Sequence, residues 1–196
     1  MPDSRREAAA ALSLAVAFVL LGALAPQVNA WVEYQRAAIE GGQVWRLATA
    51  HLAHLGLAHG LLNAAAWILV WRLGRGVLRG GQWAWLLAGS AAAVDAGLYL
   101  LSPGIEWYVG ASGMLHGAFA GMAWLAARGP APQFGRILLG VLAAKLIWEQ
   151  LSGGTAASLI LGDAPVITAA HFYGAFGGWL SAAALRAGAR RQPVSR

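Results

Sequence analysis

The sequence contains no cysteine and very little charge. Without cysteine there can be no disulfide bond, no thiolate chemistry and no zinc or iron–sulfur site held by thiolates. Charged residues make up only 11% of the 196 residues, whereas an ordinary soluble domain carries about 25%. This scarcity excludes a soluble globular enzyme, a disordered chain and a nucleic-acid-binding protein with a solvated basic face.

Apolar residues are abundant instead, and they form long uninterrupted runs. They make up 59% of the chain, and the mean hydropathy is +0.57. Because a transmembrane helix needs roughly 20 apolar residues, the chain has room for six helices joined by short loops. The runs predict an all-α polytopic membrane protein, a single domain over residues 1–196, with spans at about 8–24, 56–73, 83–101, 110–127, 137–151 and 166–187.

The basic residues fall mostly on one side of these six spans. Arg36 and Arg46 lie in loop 1–2, and Lys145 lies inside span five. The other eleven lie in the amino terminus, loops 2–3 and 4–5, or the tail: Arg5, Arg6, Arg72, Arg75, Arg79, Arg128, Arg136, Arg186, Arg190, Arg191 and Arg196. This asymmetry predicts that both termini are cytoplasmic. The net charge of +6 therefore reflects topology, and we expect a lipid bilayer as partner, with no nucleic acid.

The amino terminus has a second interpretation, as a cleavable signal peptide. Arg5 and Arg6 precede an apolar stretch, and Pro26 and the small residue Ala30 follow it. The apolar stretch is long for a signal core, so we expect the first span to be retained.

Four polar residues inside the spans collect near one face of the membrane. In the predicted topology His59, Asn63, Ser112 and His171 all lie within about 10 Å of the extracytoplasmic side. Polar groups in a membrane helix mark a functional site by default. A transporter would need such groups near the midplane as well, so the one-sided cluster and the absence of an inverted repeat argue against transport.

Glycines recur every four residues in the two spans that carry Ser112 and His171. They are Gly113, Gly117 and Gly121 in span four, and Gly174 and Gly178 in span six. Small residues at this spacing let two helix backbones approach closely. We therefore expect Ser112 and His171 to meet, so that a neutral imidazole can accept the serine proton. No carboxylate is obviously placed to orient His171, so we expect a dyad rather than a triad.

The remaining polar residues allow more than one interpretation. His59 and Asn63 share a helix face, either as hydrogen-bonding glue between helices or as an oxyanion hole. Lys145 and Glu149 are an i, i+4 pair that can neutralise each other, and Asp95 is expected to pair with Lys145 or to recognise a substrate charge.

A metal site is the alternative for the histidines. His51, His54 and His59 have a spacing that does not place all three together on one helix, and no acidic residue is near. We expect neither a metal nor another cofactor.

Taken together and in order, the motifs resemble those of the rhomboid intramembrane serine proteases. They are Trp45-Arg46 in loop 1–2, His54, His59 and Asn63 around span two, Gly110-Ala111-Ser112-Gly113 at span four, and His171, Gly174 and Gly178 in span six. The resemblance implies a six-helix rhomboid bundle in a bacterial inner membrane, with the active site opening to the extracytoplasmic side.

The same resemblance implies a role for each matching residue. Ser112 and His171 would form the catalytic dyad. His59 and Asn63 would hold the oxyanion together with the Ser112 backbone N–H, and His54, Trp45 and Arg46 would be structural. His116 occupies a position where rhomboids often carry a tyrosine stacked on the catalytic histidine, which puts that stacking in question here.

The segment Gly110–Gly117, with Leu115-His116-Gly117 at its end, resembles the compact rhombosortase subfamily. That likeness implies cleavage of transmembrane substrates in a carboxy-terminal tail that has a Gly-Gly motif, an apolar span and a basic end. The alternatives are a rhomboid protease of other transmembrane substrates and a non-catalytic relative that binds transmembrane clients.

Overall fold

The computed structural model describes residues 2–153 and 166–191, most of which are helical, with one pair of two-residue strands and short connecting loops. The strands are β1 (Tyr34–Gln35) and β2 (Trp107–Tyr108), and a π-helical turn, Gly97–Leu101, follows α6. The described α-helices are α1 (Pro2–Ala23), α2 (Ala25–Val32), α3 (Arg36–Glu40), α4 (Trp45–Thr49), α5 (Leu57–Leu73), α6 (Gly80–Ala96), α7 (Ser112–Ala127), α8 (Pro132–Ser152) and α9 (Thr168–Arg191). Arg196 of the basic tail lies outside the described residues.

Each predicted span overlaps one of the six long helices, which fits an all-α membrane protein. Among the described residues, two segments are long and apolar enough by themselves to cross a membrane, Ser4–Ala23 and Gly80–Leu101. Helix α5 is apolar but has 17 residues, and α7 has 16, fewer than the roughly 20 that a span needs. The count of six spans therefore stays a prediction.

Helices α7 and α9 lie in backbone contact along their glycines. A Cβ added at Gly174 would collide with the carbonyl oxygen of Gly113, and one added at Gly178 would collide with that of Gly117. A Cβ at Gly121 would in turn come within 2.6 Å of the Gly178 carbonyl oxygen. The contact moves down both helices in the same direction, so α7 and α9 run parallel, and the four-residue repeat is the reason that they can approach so closely.

The other long helices pack around this pair. Helix α6 runs antiparallel to α9, since Gly97 faces the Tyr173 ring at one end and Gly89 faces Ser181 at the other. Helix α8 runs antiparallel to α7, since Gly135 meets Ala127 while Leu142, further along α8, packs with Ala120. Helix α1 packs on α5, where the Trp67 indole donates a hydrogen bond to the Ala11 carbonyl oxygen at 2.9 Å.

The segment between α1 and α5 is held by two arginines. The buried Arg46 guanidinium donates to the carbonyl oxygens of Glu33 and Ala30, each at 2.8 Å, and to the Gln43 side chain. Arg36 donates to carbonyl oxygens at the end of α6 and beyond it: Leu98, Tyr99, Ser102 and Ile105. The last carbonyls of a helix have no partner within the helix, so a cation there satisfies both hydrogen bonding and the helix dipole.

Asp95 does not pair with Lys145, and that expectation is wrong. Its carboxylate meets His51 Nε2 at 3.1 Å, while Lys145 pairs with Glu149. His51 follows α4 and is buried, so this contact ties the loop segment to α6. The physical reason is helix rotation: Asp95 faces α4 rather than α8, and spacing along one helix does not determine which neighbour a side chain faces.

Two alanine substitutions on α9 should separate the effect of the glycine contact from that of helix propensity. Gly178→Ala should lower stability by about 1–3 kcal/mol through overpacking against α7. Gly188→Ala is the matched control, because a Cβ there meets nothing within 4 Å; it should raise stability by up to about 1 kcal/mol. Thermal unfolding in detergent measures both, and equal effects would contradict the packing described here.

Candidate active site

Ser112 is the first residue of α7 and follows a turn that only glycine adopts easily. Gly110 has φ +124°, its N–H donates to the Ala50 carbonyl oxygen at 3.0 Å, and its own carbonyl accepts from the Tyr108 hydroxyl at 2.6 Å. These bonds hold the turn on both sides. Because the first N–H groups of a helix have no partner within it, the Ser112 backbone N–H is a donor at the helix end.

His171 lies in the first turn of α9, beside Ser112. Its Nε2 is 2.9 Å from Ser112 Oγ, and the residue is only 5% exposed. The glycine contact of α7 with α9 brings the two residues to the same level, 59 positions apart in the sequence. A hydrogen bond of this length between a serine hydroxyl and an imidazole is the arrangement that activates a serine nucleophile.

The Glu149 carboxylate contacts the other ring nitrogen of His171, a contact that was not predicted from the sequence. Its Oε2 is 2.8 Å from His171 Nδ1, and its Oε1 is bonded to Lys145 Nζ. The expectation that no carboxylate orients His171 is therefore wrong. Glu149 lies near the end of α8, which is the end that meets the start of α9. The available signal was that the predicted spans place Glu149, Ser112 and His171 toward the same side of the membrane.

His116 stacks on the face of His171. The two ring centroids are 4.1 Å apart and the planes differ by 14°. His116 lies one turn after Ser112 on α7, and its Nδ1 bonds the Ser112 carbonyl oxygen at 2.7 Å, which fixes the ring. An imidazole thus fills the position where rhomboids often have a stacked tyrosine, and the stacking that the sequence left in question is present.

His59 and Asn63 face the Gly110 turn from α5. His59 Nδ1 accepts a hydrogen bond from the Leu55 N–H at 3.2 Å, so the ring proton is on Nε2, on the side of Gly110. Asn63 Nδ2 is buried and has no hydrogen-bond partner among the described residues. Buried donors are nearly always paired, so an unpaired one beside a serine and a histidine requires an explanation.

His54, Trp45 and Arg46 lie behind or beside this cluster rather than in it. His54 is fully buried, packs edge-on against His59 with ring centroids 5.0 Å apart, and bonds the Leu52 carbonyl oxygen through Nδ1. Burial, and to a smaller extent the nearby His59, lowers the pKa of His54 to about 4, so the ring is neutral at pH 7. Trp45 is half-exposed and donates to the Trp31 carbonyl oxygen.

Two adjoining cavities meet at Ser112. One, of about 250 Å³, is almost wholly apolar and lies between α5, α7 and α8, with Val70 and Val141 on opposite walls. The other, of about 200 Å³, lies toward the loops and includes His59, Trp107 and His171. Asn63, Ser112, His116 and Lys145 line both. A chain entering between α5 and α8 would reach the serine from the side of the bundle.

A metal ion fits this cluster poorly. Within residues 2–153 and 166–191 the one group of three side chains close enough to share an ion is His116, Glu149 and His171. The histidine lone pairs lie in the ring planes, and two nearly parallel stacked rings cannot direct them at one point. The trio His51, His54 and His59 does not form such a group among the described residues.

Comparison with known families identifies the family of the chain. The family model of the rhomboid domain matches residues 41–188, three quarters of the chain. The chain belongs to the rhomboid family, whose members are intramembrane serine proteases. No curated protein and no solved structure matches the chain. The matched range includes Ser112, His171 and Glu149.

The turn before Ser112 can be tested with two glycines that share a positive φ. In Gly110→Ala the new Cβ would lie 2.8 Å from His59 Cε1, whereas at Gly76, φ +87°, it would meet nothing within 4 Å. Both variants should lose about 1–3 kcal/mol of stability through backbone strain. Only Gly110→Ala should also lower cleavage of a transmembrane substrate, by about 10²-fold, because it displaces His59. Equal activity in the two folded variants would contradict a role for this turn.

Proposed function

We propose that the chain is an intramembrane serine endopeptidase with Ser112 as nucleophile and His171 as general base. The observation that carries this proposal is the 2.9 Å hydrogen bond between Ser112 Oγ and His171 Nε2 at the junction of the two cavities. Membership of the rhomboid family supports it independently.

The reaction follows from the positions of the two side chains. Ser112 Oγ bonds to the carbonyl carbon of the scissile peptide while its proton passes to His171 Nε2. The C–N bond then breaks as the same proton passes to the leaving amine, which leaves an ester on Ser112. Water then gives a proton to Nε2 as its oxygen bonds to the ester carbon. The ester C–O bond breaks as that proton passes from Nε2 to Ser112 Oγ, which releases the acid and restores the serine. An amine arriving in place of water would give transfer.

His59, Asn63 and the Ser112 backbone N–H are proposed to bind the oxyanion. His59 Nε2 and Asn63 Nδ2 both face the space beside Gly110. Gly110 lies two residues before the nucleophile, Ser112. An unpaired buried donor is costly in the resting protein but useful where a negative charge develops. Each such donor contributes about 2.7–4 kcal/mol in a soluble protease.

The proposed topology has six spans with both termini in the cytoplasm of a bacterium and the site near the extracytoplasmic face of its inner membrane. It rests on the distribution of basic residues and on the antiparallel order of neighbouring long helices. Ser112 and His171 begin α7 and α9, and Glu149 is near the end of α8. All three ends lie on one side, at a depth that water can reach without crossing the bilayer.

The proposed substrate is a transmembrane protein with a Gly-Gly motif before a carboxy-terminal apolar span and a basic end, as in rhombosortases. The cavities at Ser112 are small, about 250 and 200 Å³. A segment without side chains fits such a space and unwinds from a helix easily, because glycine is a poor helix former. The surface of the larger cavity, between α5 and α8, is apolar, which matches the apolar surface of a transmembrane span.

A pair of exported reporters tests activity and specificity together. One ends in Gly-Gly, an apolar span and a basic end; in the other Leu-Leu replaces Gly-Gly. Each reporter is co-expressed with wild-type protein, and its mass is measured. Only the Gly-Gly reporter should be truncated. Ser112→Ala should reduce truncation by about 10³-fold or more. Ser90→Ala is the matched control. Ser90 is a buried serine whose hydroxyl donates a hydrogen bond to the Leu86 carbonyl oxygen of its own helix, and the variant protein should cleave the reporter normally.

Each other outcome changes a defined part of the proposal. Cleavage of another transmembrane substrate but not of the Gly-Gly reporter would keep the protease and exclude the sorting tail. A reporter that copurifies uncut with wild-type protein would favour the client-binding alternative. The mass of the new carboxy terminus separates hydrolysis, which leaves a free acid, from transfer to an amine.

The oxyanion role of Asn63 predicts an unusual pairing of activity with stability. Asn63→Leu should lower kcat by about 10²–10³-fold. Its melting temperature should not fall, because the lost donor has no partner in the described structure. Asn29→Leu is the control, since its amide donates to the His54 carbonyl oxygen at 2.8 Å; it should lose stability and keep kcat. A parallel loss of stability in Asn63→Leu would indicate a structural role instead.

A further inference from the structure

We infer that Glu149 is a positioning residue for His171, so that Ser112, His171 and Glu149 act as a triad in which Lys145 holds the far oxygen of the carboxylate. This inference rests on the proposed function and goes beyond the dyad that the rhomboid resemblance implies. It assigns a role to the charged pair on α8, which the family motifs do not include.

The hydrogen bond from His171 to Glu149 selects the tautomer of the imidazole. An ionised carboxylate can only accept, so the proton between Glu149 Oε2 and His171 Nδ1, 2.8 Å apart, is carried by the ring nitrogen. A neutral ring with its proton on Nδ1 has a free lone pair on Nε2, the atom 2.9 Å from Ser112 Oγ. This is the tautomer that a base for Ser112 requires.

Glu149 is too buried to keep its charge without partners. It is 6% exposed, and His171 is 5% exposed. A carboxylate at that depth is stable only when both oxygens are occupied. Lys145, one turn earlier on α8, pairs with Oε1, and 48% of its own side chain is exposed. The charge on Glu149 is therefore available to stabilise the imidazolium that forms when His171 takes the serine proton.

The packing of α8 fixes where Glu149 lies. In α8, all of whose residues the structure describes, three are buried, at intervals of seven: Gly135, Leu142 and Glu149. Gly135 meets the α7 backbone at Ala123 and Ala127, and Leu142 packs with Ala120 and Ala175. This single stripe faces α7 and α9 along its length. Glu149 is its last member, so the contact with His171 continues the helix interface.

A simpler explanation is that Lys145 and Glu149 only neutralise each other. The two explanations differ in a charge-balanced double variant. If the pair matters for its charge balance alone, removing both charges should restore the activity that is lost when one charge is removed. If the carboxylate orients His171, the double variant should stay as impaired as the loss of Glu149 alone, since Lys145 does not touch the ring.

The experiment measures kcat and KM for Glu149→Gln, Lys145→Met and the double variant on the reporter that wild-type protein cleaves. Glu149→Gln should lower kcat by about 10²–10⁴-fold, as in soluble triads that lose the acidic member, with KM within about threefold. The double variant should match Glu149→Gln. The loss of kcat in Lys145→Met should be smaller than in Glu149→Gln or in the double variant. Gln150→Ala, exposed and next to Glu149, should be unchanged.

Thermal unfolding of each variant separates loss of fold from loss of orientation. The double variant leaves neither member of the Lys145–Glu149 pair without its partner, so we expect it to be at least as stable as Glu149→Gln. Recovery of wild-type kcat in the double variant, or kcat within threefold of wild type in Glu149→Gln, would overturn the inference. Cleavage that persists in Ser112→Ala would overturn the proposed function instead, whatever Glu149 does.

Discussion

The backbone contact between α7 and α9 is the constraint on which the site depends. Gly113 and Gly117 meet Gly174 and Gly178 with no side chain between them, so the two helix axes lie closer than ordinary residues allow. Ser112 and His171 are at the matching ends of this contact. Their hydrogen bond is therefore a consequence of packing along several turns, and the position of the imidazole does not depend on a flexible loop.

The opposite wall of the site depends on a different kind of structure. The irregular segment between α1 and α5 is held by arginines on backbone carbonyls and by the short pairing of β1 with β2. Its Ala50 carbonyl oxygen accepts a hydrogen bond from the Gly110 turn, and its buried His54 packs behind His59. Because the pKa of His54 is about 4, the ring beneath His59 stays uncharged at neutral pH and does not compete with it for a negative charge. The helix pair carries Ser112 and His171, and this segment supports the Gly110 turn and the His59 ring from behind.

The features that could be predicted from the sequence are those that depend on the local spacing of residues. Four-residue glycine repeats determine close helix contact, and a serine and a histidine at the same end of two such helices follow from them. The partners of charged residues could not be predicted in the same way. Asp95 faces His51 and Glu149 faces His171 because of how α6 and α8 rotate about their axes. Rotation is decided by the packing of a whole helix, through contacts between residues far apart in the sequence.

The narrow stripe by which α8 meets the bundle has a thermodynamic consequence. The Glu149–His171 bond is the last of three buried positions on that helix, so a change in the charge of His171 alters how strongly the end of α8 is held. The coupling is reciprocal: whatever holds that end of α8 in place strengthens, by the same free energy, the contact between Glu149 and the imidazolium of the proposed reaction. A force on the outside of α8 therefore acts on the step of the proposed reaction in which His171 holds the serine proton.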